Sequence, residues 1–344
     1  MKRFFARVAA VATVGLLAAT GVSGVAAAQS DPVPLRLGYF GNVTHAPAIV
    51  GIESGIFQKK LGKSATLEPV VFNAGPAAIE AMLGGSIDAS YIGPNPSITG
   101  YAQSNGELLR IVSGATSGGA FLVVKPEIKT AKDLEGKTLS TPQLGNTQDV
   151  ALRTWLKSKG YETDASGGGD VAIVPQDNAQ TLTQFQSGDI DGAWVPEPWA
   201  TRLIDEGGGK ILVDEADLWP NGQYVTTQLI VRKDFLDDHP DVVQKLVDGQ
   251  VAANDYLAKT PKKAEALVVS GIEKATTKPI APDLVTKSFA NLTFTNDPIA
   301  SSLKKSAKNA EALGLLDPVD LKGIYKLSYL NKALKKAGEP TVKG

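Results

Sequence analysis

The chain has 344 residues, 43% of them hydrophobic and 21% charged, with no cysteine and a formal net charge of −1. That length supplies enough apolar side chains for two sizeable cores. The balanced charge disfavours nucleic acid and anionic membrane surfaces as partners, and the lack of cysteine excludes disulfides and thiolate chemistry.

The first residues read as a secretory leader. Lys2, Arg3 and Arg7 precede the apolar run Val8–Val22, which is too short to span a bilayer. Ala26-Ala27-Ala28 fits the small-residue cleavage pattern, so a cut is expected after Ala28. Losing three positive and no negative charges takes the mature chain from −1 to −4. No cysteine is available for lipid attachment, and no later apolar run is long enough to cross a membrane. The expectation is a free monomer in the periplasm or outside the cell.

Leu35–Phe40 reads as a strand, followed by the loop Gly41–Thr44 and a helix from His45 to about Lys60, capped by Thr44. Leu67–Phe72 is the next strand. The loop Asn73–Gly75 stops it, and Pro76 sits where a first helical turn tolerates a missing N–H. That helix runs to Leu83 and ends at Gly84-Gly85, and Ile87–Ile92 is a further strand. Gly93–Pro96 opens another helix. Strand Leu108–Ala115 leads to Thr116–Gly119, expected to be a flexible junction.

Strands then follow at Ala120–Lys125, Lys137–Thr141 and Val171–Val174, with a helix over Thr147–Lys159 between the last two. Asn146 is its expected cap and Asp149 resembles a capping-box partner. Helices are expected at Ala179–Gln186 and Trp199–Glu206, and the glycine triplets at 167–169 and 207–209 read as turns. Leu229–Arg232 is the return strand. Helical periodicity fills Asp241–Lys259, Pro261–Ser270, Asp283–Asn291, Pro298–Leu313 and Leu321–Lys336.

One octet occurs twice. Gly85–Ile92 and Gly188–Val195 both read G-x-I-D-small-small-aromatic-aliphatic, and a proline-punctuated loop follows each, Gly93–Pro96 and Pro196–Trp199. The pattern predicts two similar α/β lobes whose strand ends face each other. Helix starts at such an edge expose unpaired N–H groups and favour anions.

Catalytic signatures are sparse. The histidines are His45 and His239 alone, there is no nucleophile elbow, and no clustered metal-ligand pattern is present. Neither glycine triplet carries the lysine and hydroxyl spacing of a phosphate loop. His239 reads as a surface capping residue, whereas His45 fits either a cleft wall or an ordinary first-turn position. Five loops remain: Tyr39–Pro47, Asn73–Pro76, Gly93–Ser97, Gln143–Asp149 and Trp194–Trp199. None contains lysine or arginine, so a small anion would be held there by neutral donors. Glu197 fits either a ligand amine or bonding to loop amides, and Trp194, Trp199 and Tyr91 fit either an organic tail or ordinary core.

Tyr39–Gly51, Phe72–Ile98, Gly145–Asp149 and Trp194–Trp199 resemble the solute-binding proteins of ABC importers for aliphatic sulfonates, taurine and nitrate. The resemblance implies a two-lobed periplasmic-binding-protein type II fold, with Rossmann-like lobes joined by two crossing strands. Lobe one would comprise about 29–118 and 227–344, and lobe two about 119–226. It further implies a non-enzymatic receptor, without cofactor, for a small organic anion, most readily an alkanesulfonate, with an ABC permease and its ATPase as partners. The expected ligand site draws on Asn42, His45, Gly75, Pro76, Asn95, Gly119, Asn146, Thr147, Gln148, Trp194 and Glu197. A nitrate or taurine receptor, a thiamin-pyrimidine enzyme on the same fold and a receptor's sensor domain are the competing expectations.

Overall fold

The computed structural model describes residues 31–344, and the expected leader, residues 1–28, lies outside them. Short apolar strands alternate with helices. Strands β1 (Val33–Phe40), β2 (Ala65–Phe72), β3 (Ala89–Ile92) and β4 (Leu109–Gly118) are separated by α1 (Ala46–Glu53), α2 (Ile56–Leu61), α3 (Gly75–Leu83) and α4 (Pro94–Gln103). Then come β5 (Ala120–Val124), β6 (Thr138–Thr141), α5 (Thr147–Ser158), β7 (Ala172–Pro175), α6 (Asn178–Ser187), β8 (Gly192–Pro196), α7 (Trp199–Asp205) and β9 (Lys210–Asp214). Strand β10 (Val225–Arg232) opens a helical remainder: α8 (Lys233–Asp238), α9 (Pro240–Lys259), α10 (Pro261–Thr276), α11 (Pro282–Ala290), the short β11 (Leu292–Phe294), α12 (Ala300–Ala312) and α13 (Ser328–Ala337).

These strands form two sheets, ordered β11-β4-β10-β3-β1-β2 and β7-β6-β8-β5-β9. Each has three parallel strands whose third pairs antiparallel with a strand from elsewhere in the chain, β10 in the first and β5 in the second. Apolar side chains cover both faces of each sheet. Fully burying one such leucine or valine contributes about 1.5–3 kcal/mol, which is what holds the helices on.

The repeated octet has a physical explanation. Asp88 and Asp191 stand just before β3 and β8, and each carboxylate accepts the backbone N–H of a residue in the neighbouring parallel strand, Arg36 and Thr138, both at 2.9 Å. Their carbonyls accept from Arg232 and Lys125 at 2.8 and 2.9 Å, on the antiparallel side. One aspartate thus ties three strands together in each sheet. Asp88 is buried and also pairs with the side chains of Arg36 and Arg232.

Several elements differ from expectation. The helix expected from His45 to Lys60 is broken at Gly55, whose φ of +72° is left-handed, and a 3-10 turn over Val43–His45 precedes it. Thr44 makes no cap; it is buried, and its carbonyl accepts from Thr116 Oγ1 at 2.8 Å. The expected flexible junction is strand: Thr116 and Ser117 pair with both β10 and β11, and only Gly118 and Gly119 take positive φ. Strand β10 begins at Val225, so Thr226 and Thr227 belong to it. Residues 321–327 are not helical; Tyr325 bridges to Ile111 instead. His239 sits half-buried between α8 and α9 against Phe235, without a side-chain cap.

Candidate functional site

Five helix starts meet at one cavity. Asn42, Thr44 and His45 reach it from the turn before α1, and Asn73, Ala74 and Gly75 from the start of α3. Gly93 and Pro96 come from α4, Asn146, Thr147 and Gln148 from α5, and Asn178 from α6. Thr226 and Thr227 of β10 form part of the wall. First-turn N–H groups have no intrahelical acceptor, so this arrangement points several unpaired donors and several positive dipole ends into one space. The volume open to the centre of a water-sized sphere is ≈ 30 Å³, room for only a few non-hydrogen atoms.

Among the described residues no lysine, arginine, aspartate or glutamate lines the cavity. His45 is its one titratable side chain. Burial drives its pKa down to about 3, so the ring is neutral. Its Nδ1 accepts from the Phe40 amide at 3.3 Å, which leaves Nε2–H as a donor. Thr227 Oγ1 and Asn178 Oδ1 are buried on the wall without a hydrogen-bond partner in the protein. Such atoms carry a desolvation cost of about 1–3 kcal/mol each unless something pairs with them.

Of the residues nominated from sequence, Asn42, His45, Gly75, Asn146, Thr147 and Gln148 line the cavity. The others stand elsewhere for identifiable reasons. Trp194 is wholly buried in the second core; its ring lies 6.3 Å from Trp155 and its indole N–H donates to Glu215 at 2.8 Å. Glu215 also accepts from Trp219, and burial raises its carboxyl pKa to about 7. Glu197 is buried with its oxygens occupied by Thr201, Ser288 and Asn291, so it joins the start of α7 to the end of α11. Burial raises its pKa against the pull of those bonds. Asn95 donates to the Ser306 carbonyl of α12 at 3.3 Å. Pro76 lies outside the wall in the first turn of α3, and Gly119 packs against Leu292 while its carbonyl accepts from Glu197 N.

Asp149 does not add charge to the cavity. It accepts from Thr141 and from Gly145 N, one residue before the cap, and pairs with Arg153 at 3.0 Å, fully buried. Asn146 caps α5 by accepting from Asp149 N at 2.9 Å. Sequence reasoning missed Thr226, Thr227 and Asn178. The β-branched pair Thr226-Thr227 directly before Leu229 was the available signal for an earlier strand start.

The two sides of the cavity touch closely. Trp199 donates its indole N–H to Asn42 Oδ1 at 2.9 Å, and Asn73 reaches Asp177 at 3.4 Å. A Cβ on Gly93 would lie 2.3 Å from Thr147 Oγ1, so only glycine lets these walls meet.

The NMT1-like family model matches residues 28–270. The taurine-binding periplasmic protein of Escherichia coli strain K12 is 28% identical over 252 residues, covering 71% of this chain and 75% of its own. The periplasmic nitrate-binding protein NrtA of Synechocystis PCC 6803 has the same fold, with a TM-score of 0.73 at 15% identity over 90% of each chain. The periplasmic aliphatic sulphonate-binding protein SsuA of Escherichia coli superposes at 0.66 with 21% identity, over 84% of this chain and 95% of that one. The two-sheet α/β architecture is that of periplasmic binding proteins, as the sequence led us to expect.

Proposed function

The chain belongs to the NMT1-like family, and from that premise we propose that it is the extracytoplasmic substrate-binding protein of an ABC importer. It captures a small organic anion, an aliphatic sulfonate, and delivers it to the permease and its ATPase. It acts as a monomer, released by cleavage after Ala28. Residues 29–118 and 227–344 form one lobe and 119–226 the other. They hinge near Gly118-Gly119 and Thr226-Thr227 and close on the ligand.

The observation that carries this reading is the convergence of five helix starts, a neutral His45 donor and the unpaired Thr227 Oγ1 on a cavity without formal charge. Hydrogen bonds to a charged partner contribute about 1.5–3 kcal/mol each. Four of them contribute about 6–12 kcal/mol, and the upper end of that range, less an association cost of about 4 kcal/mol, corresponds to micromolar binding at about −8 kcal/mol. Asn42, His45, Gly75, Asn146, Thr147 and Gln148 are the residues assigned to the head group.

Calorimetry with methanesulfonate, taurine, nitrate, bicarbonate and sulfate tests the assignment. Micromolar binding of methanesulfonate is expected. Binding of nitrate alone overturns the sulfonate reading, and binding of none of the five overturns the anion reading.

A further inference from the structure

A second cavity, of ≈ 250 Å³ on the same measure, adjoins the first, and Asn42, Asn73 and Asn178 line both. Its character is different. On one side stand Phe72 at the end of β2, Ile272 of α10 and Ile280 beyond it; on the other lies the Trp199 ring. The ring is fixed at two points, by its N–H bond to Asn42 and by the Arg202 guanidinium 4.8 Å from its centroid. Of the nearby charges, Arg202 is paired within the protein, and Asp177 is exposed at the rim. Arg202 makes two hydrogen bonds to Glu206, and Asp177 accepts from Asn73. Lys278, at the rim, is exposed.

We propose that this outer cavity is a tail subsite, which takes an uncharged, ring-sized substituent of the solute whose acid head occupies the inner cavity. The proposal rests on the anion reading of the inner cavity. Three features carry it. The two spaces share three amide side chains rather than a packed apolar wall, so a substituent on the head reaches the outer space by parting only the single bonds of Asn42 to Trp199 and of Asn73 to Asp177. The inner space is too small for the tail, and a cavity of about 150 Å³ already holds benzene, so the outer one admits a six-membered ring and a short linker. Its apolar side, Phe72, Ile272, Ile280 and Trp199, carries no charge, and the opposite charges of Asp177 and Lys278 stand exposed in solvent at the rim, so a tail bearing an ammonium finds only screened attraction and loses its hydration against the apolar side.

The test is calorimetry on the mature chain with methanesulfonate, taurine and benzenesulfonate. Burying a phenyl ring is expected to give benzenesulfonate a roughly 10- to 100-fold advantage over methanesulfonate, and taurine none. Trp199→Ala should bring the benzenesulfonate-to-methanesulfonate ratio close to one. Ala179→Phe, which fills the outer cavity from α6, should do the same, so the test does not depend on the Trp199 variant folding. Equal affinities in the unmodified protein, or an advantage that survives both substitutions, overturn the tail subsite while leaving the head site intact. Absence of binding by all three sulfonates, nitrate and bicarbonate overturns the head site and the tail subsite together.

Discussion

His45 and Glu215 are buried titratable groups whose pKa values move in opposite directions, and they oppose each other in the pH dependence of stability. The His45 pKa is about 3 in the folded chain against an ordinary 6.5, so the unfolded chain takes up that proton first. Its contribution is fully present above pH 6.5 and is lost as pH falls towards 3, roughly 5 kcal/mol in all. The Glu215 pKa is about 7 against an ordinary 4.5, so here the folded chain holds the proton. Its contribution is present below pH 4.5 and is lost as pH rises through 7, roughly 3 kcal/mol. Between pH 4.5 and 6.5 the two slopes cancel. Thermal melts across that interval should show Glu215→Gln losing stability towards acid relative to the unmodified chain, and His45→Gln gaining it. Parallel profiles in all three proteins would mean that neither group holds its proton as assigned.

Thr227 sets stability against binding in a single atom. Its buried, unpaired Oγ1 costs the empty protein, and on the proposed reading it donates to the ligand. Thr227→Val should therefore leave the melting temperature unchanged or higher, while methanesulfonate binds about 10-fold more weakly, a difference of about 1.4 kcal/mol. Loss of stability without loss of affinity would place the hydroxyl in a structural role.

At the scale of elements, the strand-end glycines and aspartates decide how closely parts approach. Gly93→Ala puts a methyl group 2.3 Å from Thr147 Oγ1. Ligand affinity is expected to fall at least 100-fold, or about 2.7 kcal/mol, with little change in melting temperature, and Thr147→Ala should restore part of it. Asp88→Asn removes a buried partner from both Arg36 and Arg232, and because both arginines are partly exposed the cost should fall below that of a fully buried pair, about 3–5 kcal/mol. Asp191→Asn should cost less, because Lys137 lies 3.5 Å away and that pair is largely solvated. Chemical denaturation separates the two values.

The alternation of strand and helix, the helix starts and the doubled octet were all legible in the sequence, because β-branched runs, Pro-Gly punctuation and capping residues act locally. What was not legible depends on partners far along the chain. β9 and β11 are short edge strands defined by their pairing with β5 and β4, and no local periodicity marks them. Trp194 and Trp199 flank the same proline-rich loop, yet one points into the core and the other to the cleft. Both faces of β8 are buried, so alternation along that strand could not show which aromatic was free. Glu197 looked available only because Ser288 and Asn291, its partners, come from a helix more than ninety residues away.

At the scale of the molecule, the contacts beside the cavity mouth are polar, and Glu197 adds bonds to Ser288 and Asn291 farther along the same seam. Trp199 to Asn42 and Asn73 to Asp177 are single hydrogen bonds, small terms against the burial that holds each sheet. The solution envelope is expected to contract when methanesulfonate is added. X-ray scattering should show a smaller radius of gyration with methanesulfonate than with chloride, and Trp199 fluorescence should shift in parallel. An unchanged radius at saturating methanesulfonate would show that capture needs no movement of the lobes.

The place of β10 between β3 and β4 also bears on the order in which the chain acquires structure. All five strands of the second sheet lie between Ala120 and Asp214, an uninterrupted stretch that needs nothing made later. The first sheet cannot be joined up until Val225–Arg232 exists, because those residues are the mortar between its two portions. The half encoded first is therefore the half finished last. In a chain ended after Asp214, hydrogen exchange should find the amides of Leu122 and Val123 sheltered and those of Tyr91 and Ile92 open.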